Sequence, residues 1–188
     1  MKSIIKYLLS ILLAASLSVS CSDVLDKNDL GAISETDVWN DALYAKAYLD
    51  YLVNANLPGW SASISSECDE AGDDRNSGLF IYGELNANNT QDTWHYDRIR
   101  MLNEYIEKIE TGSIDAATQQ LYKAQVLVLR AWRYFDMVSL YGGIPMVMKV
   151  QNLSDDLLVP RNKTSECISL IVKDLDDAIA VENFPYSW

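Results

Sequence analysis

Residues 129–145 read LRAWRYFDMVSLYGGIP, and this stretch decides the predicted fold. Its apolar residues continue a helical spacing that begins upstream, so we predict one long helix over residues 115–141. That helix is apolar around much of its circumference, which indicates burial between neighbouring elements. Gly142 and Gly143 supply a left-handed stop and Pro145 prevents the helix from resuming. We therefore expect these three residues to have structural roles.

A charged residue, Arg130, lies inside this apolar helix. An unpaired guanidinium in such surroundings would be costly, so we expect a carboxylate partner. Asp174 and Glu104 are the two candidates. The sequence thus gives Arg130 a structural role, in which its ion pair locks helices together.

Helical spacing also occurs on both sides of this stretch. It predicts helices over about 36–58, over about 92–112 and from 164 onward. Trp94 and Trp132 lie on apolar stripes and are expected to pack in the core. The side chains expected to point inward from the last helix are Cys167, Ile168, Ile171, Leu175, Ala178 and Ile179.

These four helices and the weak strand signal predict an all-α fold. Their order fits two antiparallel, tetratricopeptide-like helix pairs. Residues 59–90 interrupt the order with a long irregular loop region rich in Ser, Asp and Asn. Loops of this length in a compact domain are usually functional or disordered.

The acidic part of this loop, from Glu67 to Asp74, offers the hard oxygen ligands that calcium prefers. No register in it gives the order of ligands of an EF-hand with its central glycine, so calcium is not expected. The chain contains one histidine, His95, which argues against a zinc site of nitrogen and sulfur ligands. We predict no cofactor.

The first 21 residues are typical of an export signal. Lys2 and Lys6 precede an apolar run over 7–19, and Cys21 follows a small residue. The run is shorter than the roughly 20 residues that a membrane-spanning helix needs. We interpret residues 1–20 as a lipoprotein signal peptide, Cys21 as the acylated new N-terminus and residues 21–34 as a tether. Ordinary secretion and a single span are the alternatives.

The chain is acidic, with 27 Asp and Glu against 15 Lys and Arg and a net charge of −12. Without residues 1–20, which carry two lysines and no acid, the net charge is −14. Such a field repels nucleic acid and anionic lipid, so neither is an expected ligand. Cys68 and Cys167 could form a disulfide in an oxidising envelope, or each could be a small buried apolar residue.

Enzyme chemistry has little support in the sequence, although its many carboxylates leave a two-acid glycosidase open on composition alone. The sequence contains no Gly-x-Ser-x-Gly elbow and no phosphate-binding loop, and no pair of carboxylates stands at the end of a recognisable strand. We therefore do not expect an enzyme.

Several motifs follow one another along the chain: Trp94-x-Tyr96-x-x-Ile99-Arg100-x-x-Asn103, the 129–145 stretch, and Pro160-Arg161 with Ile171-x-x-Asp174-Leu175-x-x-Ala178. In this order, after Asp37-Val38-Trp39 and the Ser66 to Asp69 stretch, they resemble the SusD/RagB family of outer-membrane nutrient-binding lipoproteins. The Arg-Ala…Tyr-Gly-Gly-Ile-Pro block is the specific part of the resemblance. Family members are considerably longer, so residues 35–188 are expected to form an N-terminal helical domain that is incomplete at its C-terminus.

The resemblance implies a lipid-anchored protein at the cell surface that binds oligosaccharide over a TonB-dependent (SusC-like) outer-membrane transporter. Sugar capture needs flat aromatic faces together with carboxylate, amide and guanidinium groups for the hydroxyls. The loop region offers these as candidate ligand-binding residues: Trp60, Asp73, Asp74, Arg75, Asn76 and Tyr82. The alternative is a helical-repeat module on a lipid anchor that binds a protein and touches no sugar in this segment.

Overall fold

The computed structural model describes residues 33–57, 83 and 94–184. Within these ranges the chain is helical and contains no strand, which confirms the all-α prediction. We label the helices α1 to α5, with a 3-10 turn over Ile109–Thr111: α1 (Glu35–Asn40), α2 (Ala42–Asn56), α3 (Tyr96–Lys108), α4 (Ala116–Tyr141) and α5 (Thr164–Ile179).

All five helices belong to one compact unit. The chain divides into Met1–Ser34 and Glu35–Trp188, and the helices lie in the second part. None of the helices in the described ranges is long and apolar enough to cross a membrane. The predicted signal peptide and Cys21 lie outside the described residues, as does almost all of the predicted 59–90 loop.

The predicted long helix is α4, and its two ends have clear causes. Asp115 caps the start, since its side chain accepts a hydrogen bond from Thr118 N at 2.9 Å. At the other end Gly142 has φ +70°, which a side chain would strain. A Cβ on Gly143 would lie 2.1 Å from Asn162 O, so only glycine lets the two segments pass this closely. Both glycines are therefore required by the backbone.

The single helix predicted over 36–58 is wrong, because the structure has two helices there. The break falls at Asp41, which adopts an extended conformation and accepts a hydrogen bond from Leu43 N at 2.8 Å. Aspartate is a strong N-cap residue and can begin a new helix at low cost. Just before this break Trp39 is buried, and its ring packs edge-on against Tyr105 with centroids 5.3 Å apart.

The helices pair in an antiparallel manner. Near the start of α2, Ala45 O accepts a hydrogen bond at 3.0 Å from the hydroxyl of Tyr105, near the end of α3. In the second pair, Ala178 at the end of α5 packs against Ala124 in the first half of α4. The core between the helices contains fully buried side chains, each contributing about 1.5–3 kcal/mol of transfer free energy: Leu49, Leu52, Ile99, Leu102, Val126, Tyr134, Met137 and Ile144.

The guanidinium of Arg130 lies at the centre of a buried polar network. It is 5 % exposed and pairs with Asp174, which is 3 % exposed, through Nε–Oδ2 at 2.8 Å and Nη2–Oδ1 at 2.7 Å. Its Nη1 donates to Asn103 Oδ1 at 2.8 Å and to Met148 O at 3.2 Å. The carboxylate partner is thus Asp174 and not Glu104. One side chain of α4 thereby joins α5, α3 and the segment after α4.

The predicted inward face of the last helix is wrong in part. Ile168, Leu175 and Ile179 are exposed, although they were expected to point inward from the last helix. The pairing of Asp174 with Arg130 fixes the rotation of α5, so the face towards α4 carries Cys167, Ile171, Asp174 and Ala178. Cys167 is buried and forms no disulfide, which fits its alternative as a small apolar residue, while Cys68 lies outside the described residues.

The tryptophans predicted to lie in the core are also partly in solvent. Trp94 is 43 % exposed and Trp132 is 41 % exposed. Trp94 precedes α3 instead of lying within it, because this helix begins at Tyr96 and not near Asp92. Trp132 lies on the side of α4 that faces away from the buried residues of that helix.

We predict that removing one member of the Arg130–Asp174 pair destabilises the fold far more than removing both. Arg130→Ala should lower the free energy of unfolding by about 3–5 kcal/mol, because it leaves a buried carboxylate without a partner. The double variant Arg130→Met with Asp174→Leu should recover a large part of that loss, since no charge stays buried. Urea unfolding followed by far-ultraviolet circular dichroism measures both.

The matched control is Lys173→Ala, which removes an exposed ion pair with Asp177 on the same helix. Its effect should stay within about 0.5 kcal/mol, as for most exposed pairs. An Arg130→Ala variant as stable as this control would contradict the structural role of the buried pair.

Candidate functional site

The candidate sugar contacts of the long loop, Trp60, Asp73, Asp74, Arg75, Asn76 and Tyr82, lie outside the described residues. The acidic run considered for calcium lies there too. In the part of the chain that the structure describes, no group of three or more His, Cys, Asp and Glu is placed to hold a metal ion. A site must therefore be sought on the helical unit itself.

A groove of about 290 Å³ lies between the first turns of α3 and the segment that follows α4. Its volume is at the lower end of the range of small-molecule sites. We call it the α3 groove, and its walls are formed by Tyr96, Arg100, Pro145, Val147, Lys149, Gln151, Leu157 and Val159.

Three side chains of one face of α3 hold the opposite wall in place. The Tyr96 hydroxyl donates to Pro145 O at 2.8 Å and Arg100 Nη1 donates to Gln151 O at 2.6 Å. Asn103 Nδ2, one turn further, donates to Val147 O at 2.8 Å. Because positions i, i+4 and i+7 share a helix face, the tyrosine, arginine and asparagine of one sequence motif serve a single purpose. They attach an irregular segment to a helix and so form the groove.

Aromatic rings lie beside the groove in nearly parallel planes. The indole of Trp94 stacks on Tyr141 with centroids 4.1 Å apart and 8° between the planes. The ring of Tyr96, which lines the groove, lies 6.1 Å from Trp94 at 12°. Aromatic rings supply large and rigid contact surfaces, and those of Tyr and Trp also carry a polar group. The partly exposed indole therefore lies beside the groove residue Tyr96 as a further flat surface.

The charges of the groove differ from those of the chain as a whole. Its walls contain two cationic residues, Arg100 and Lys149, and no acidic one, although the chain has a net charge of −12. Burial is the main cause that raises the pKa of Tyr96 to about 12, while the Arg161 guanidinium opposes it. At neutral pH the hydroxyl is thus protonated and donates to Pro145 O. The groove combines an apolar wall with fixed hydrogen-bond donors and positive charge.

Comparison with known proteins identifies the family. A family model described as SusD-like, starch-binding and associating with the outer membrane, matches residues 65–185, well over half of the chain. The chain belongs to the SusD-like family. The resemblance of its sequence motifs to SusD/RagB proteins is thereby confirmed, and the family match supports carbohydrate binding and association with the outer membrane at the family level.

Individual SusD-like relatives agree with this assignment. A SusD-like protein of Bacteroides ovatus is 25 % identical over 92 % of this chain, which covers 34 % of that protein. A crystal structure of a SusD-like protein from Bacteroides fragilis superposes with a TM-score of 0.68 and 26 % identity, over 86 % of this chain and 33 % of the other.

A second crystal structure, of a SusD-like carbohydrate-binding protein from Bacteroides fragilis, shares the fold. Its TM-score is 0.64 at 23 % identity, over 76 % of this chain and 32 % of the other. The chain thus spans about a third of the length of each of these three relatives. The tetratricopeptide-like helical architecture is that of the SusD-like family.

Sequence reasoning did not find the α3 groove as a site. The signal was present in the spacing of Tyr96, Arg100 and Asn103, which is that of one helix face. Their partners, however, are backbone carbonyls of a segment more than 40 residues later, which no local pattern reveals. The spacing shows that the three side chains share a helix face, but it does not show which segment they bind.

We predict that Tyr96→Phe weakens the fold at neutral pH and that its deficit shrinks in alkali. The loss of the hydrogen bond to Pro145 O should cost about 1 kcal/mol at pH 7. A tyrosine ionises near pH 10 in the unfolded chain, whereas Tyr96 in the fold ionises at about 12. The wild type therefore loses stability as the pH rises from 10 through 12, and phenylalanine cannot contribute to that loss.

Urea unfolding at pH 7, 10 and 11.5 measures the difference between the two proteins. A stability gap that stays constant or widens with pH would show that the folded-state hydroxyl of Tyr96 is not protected from ionisation.

Proposed function

We propose that this protein is a lipid-anchored, surface-facing glycan-binding protein that captures oligosaccharide for a TonB-dependent, SusC-like outer-membrane transporter. The family match over residues 65–185 carries this proposal, since it is to proteins described as starch-binding and associated with the outer membrane. Attachment is supported by the export signal with Cys21 at its end, where acylation would provide the anchor.

The α3 groove supports sugar binding on physical grounds. A sugar ring has apolar C–H faces and polar hydroxyls at its edges, so its site needs flat apolar surfaces bordered by donors and acceptors. Tyr96, with Trp94 stacked beside it, provides such a surface, and Arg100 and Gln151 provide the polar groups. We propose Trp60, Asp73, Asp74, Arg75, Asn76 and Tyr82 as further contacts from the long loop.

The proposed role is binding without chemical conversion of the sugar. The sequence contains no nucleophile elbow and no phosphate-binding loop, and the described residues gather no metal-binding cluster. Specificity would then depend on the fit of the ligand to the preformed wall that α3 holds in place.

A second candidate function is that of a protein-binding helical module without direct sugar contact. It is favoured by the apolar side chains that α4 and α5 leave exposed. On α5 they are Ile168, Val172, Leu175 and Ile179, which repeat at i, i+4, i+7 and i+11 and so form one stripe. Stacked helical repeats cover such faces with neighbouring helices.

Isothermal titration calorimetry against neutral oligosaccharides of starch, laminarin, xylan and mannan tests the first proposal. We expect at least one to bind, and Trp94→Ala to weaken that binding at least tenfold because the indole surface is lost. Trp132→Ala is the matched control, since this tryptophan is about equally exposed but is not stacked beside Tyr96, and it should leave affinity unchanged.

The second candidate makes the opposite prediction. If no oligosaccharide binds, while the protein co-purifies with an outer-membrane transporter and Val172→Asp abolishes that association, the protein-binding function holds in place of glycan binding. Circular dichroism of each variant establishes that the fold is intact.

A further inference from the structure

We propose that the α3 groove recognises the anionic group of an acidic saccharide, the carboxylate of a uronic acid or a sulfate ester, through Arg100 and Lys149. The inference rests on the proposed glycan-binding function and narrows its substrate class. Its starting point is that the groove is positively charged while the chain as a whole is negatively charged. A groove of about 290 Å³ whose walls contain two cations and no acid stands out in a chain with 27 acidic residues.

The two cations of the groove are not used by the fold in ion pairs. Elsewhere in the described ranges, six basic side chains lie within ion-pair distance of a carboxylate, whereas Arg98, Arg161 and Lys163 do not. Neither Arg100 nor Lys149 has such a partner among the described residues. Neither cation is therefore neutralised by a carboxylate of the described residues.

Arg100 is positioned before any ligand arrives. Its Nη1 donates to Gln151 O at 2.6 Å, which fixes the direction of the side chain. A guanidinium has five N–H donors, so most of them are left for an acceptor in the groove. Its planar fork matches a carboxylate or a sulfate, and an arginine that is already held loses less entropy on binding.

The rest of the wall suits the sugar that would carry such a group. Pro145, Val147 and Val159 give an apolar surface, and the ring of Tyr96 lies beside it. An acidic sugar could thus place a ring face on the apolar wall and its charged group on Arg100 and Lys149.

The negative net charge of the chain excludes nonspecific attraction as a cause of binding to acidic sugars. A net charge of −12 repels anionic polymers at long range, so nonspecific attraction cannot imitate the effect. Any preference for an acidic sugar over its neutral equivalent must come from a local positive site. The attraction should also weaken as salt rises, because screening acts on partly exposed charges.

The test is calorimetry of the full chain with tetragalacturonate, with its fully methyl-esterified form and with a sulfated carrageenan tetrasaccharide, at 50 and 300 mM NaCl. The ester keeps the sugar and removes the charge. We expect one or both acidic probes to bind at least tenfold more tightly than the ester, with the preference falling at the higher salt concentration. Tighter binding of tetragalacturonate would identify a carboxylate as the ligand group, and tighter binding of the carrageenan tetrasaccharide would identify a sulfate ester.

Substitutions of the two cations test whether the preference for an acidic saccharide arises in the α3 groove. Lys149→Gln removes a charge whose side chain makes no hydrogen bond to the described residues, so the fold is left intact, and it should reduce binding of the preferred acidic probe about tenfold. Arg100→Gln should reduce it at least as much. Lys46→Gln, which removes an exposed cation on α2, is the matched control and should leave the affinity unchanged.

The outcomes separate this inference from the proposed function. Equal affinity for the acid and its ester, or neutral oligosaccharides binding while both acidic probes fail, overturns the anionic site and leaves glycan binding in place. Unchanged affinity in Lys149→Gln and Arg100→Gln overturns the site as well. Failure of every saccharide, neutral or acidic, overturns the glycan-binding function itself.

Discussion

The ion pair between Arg130 and Asp174 is the constraint on which the described helical unit depends. A buried guanidinium is costly unless it is hydrogen-bonded, and here each of its three nitrogens donates, to Asp174 on α5, to the amide oxygen of Asn103 on α3 and to a carbonyl of the segment after α4. Asp174 must in turn face α4, which sets the rotation of α5 about its axis. That rotation buries Cys167, Ile171 and Ala178 and leaves the neighbouring apolar stripe of the same helix in solvent.

The same network connects the fold to the α3 groove. Asn103 is shared, since its Oδ1 accepts from Arg130 and its Nδ2 donates to Val147 O and Lys149 O. These carbonyls belong to the wall of the groove, which Tyr96 and Arg100 hold from the turns before. The groove is therefore built on a helix face that is anchored in the core. Such support keeps the geometry of a site fixed in the absence of ligand, which lowers the cost of binding.

The sequence predicted the parts of this structure that depend on local pattern. The limits of α4 follow from Asp115, the apolar spacing and the paired glycines, and the buried arginine required a carboxylate. The break at Asp41 could have been found from its capping chemistry, but a continuous apolar stripe concealed it. The exposure of Trp132 and of the α5 stripe could not be predicted, because each helix has more apolar residues than its neighbours can cover. The α3 groove depends on contacts between distant segments, and the loop candidates lie outside the described residues.

The most direct test of the central constraint is the hydrogen exchange of arginine side chains measured by nuclear magnetic resonance. Each Nε–H of an arginine gives its own signal, and a buried, hydrogen-bonded group exchanges with water only when the structure opens. The ion pair predicts that Arg130 Nε–H, bonded to Asp174, exchanges far more slowly than the Nε–H of the exposed Arg100. Equal exchange rates for the two groups would contradict a buried pair that holds the helices together.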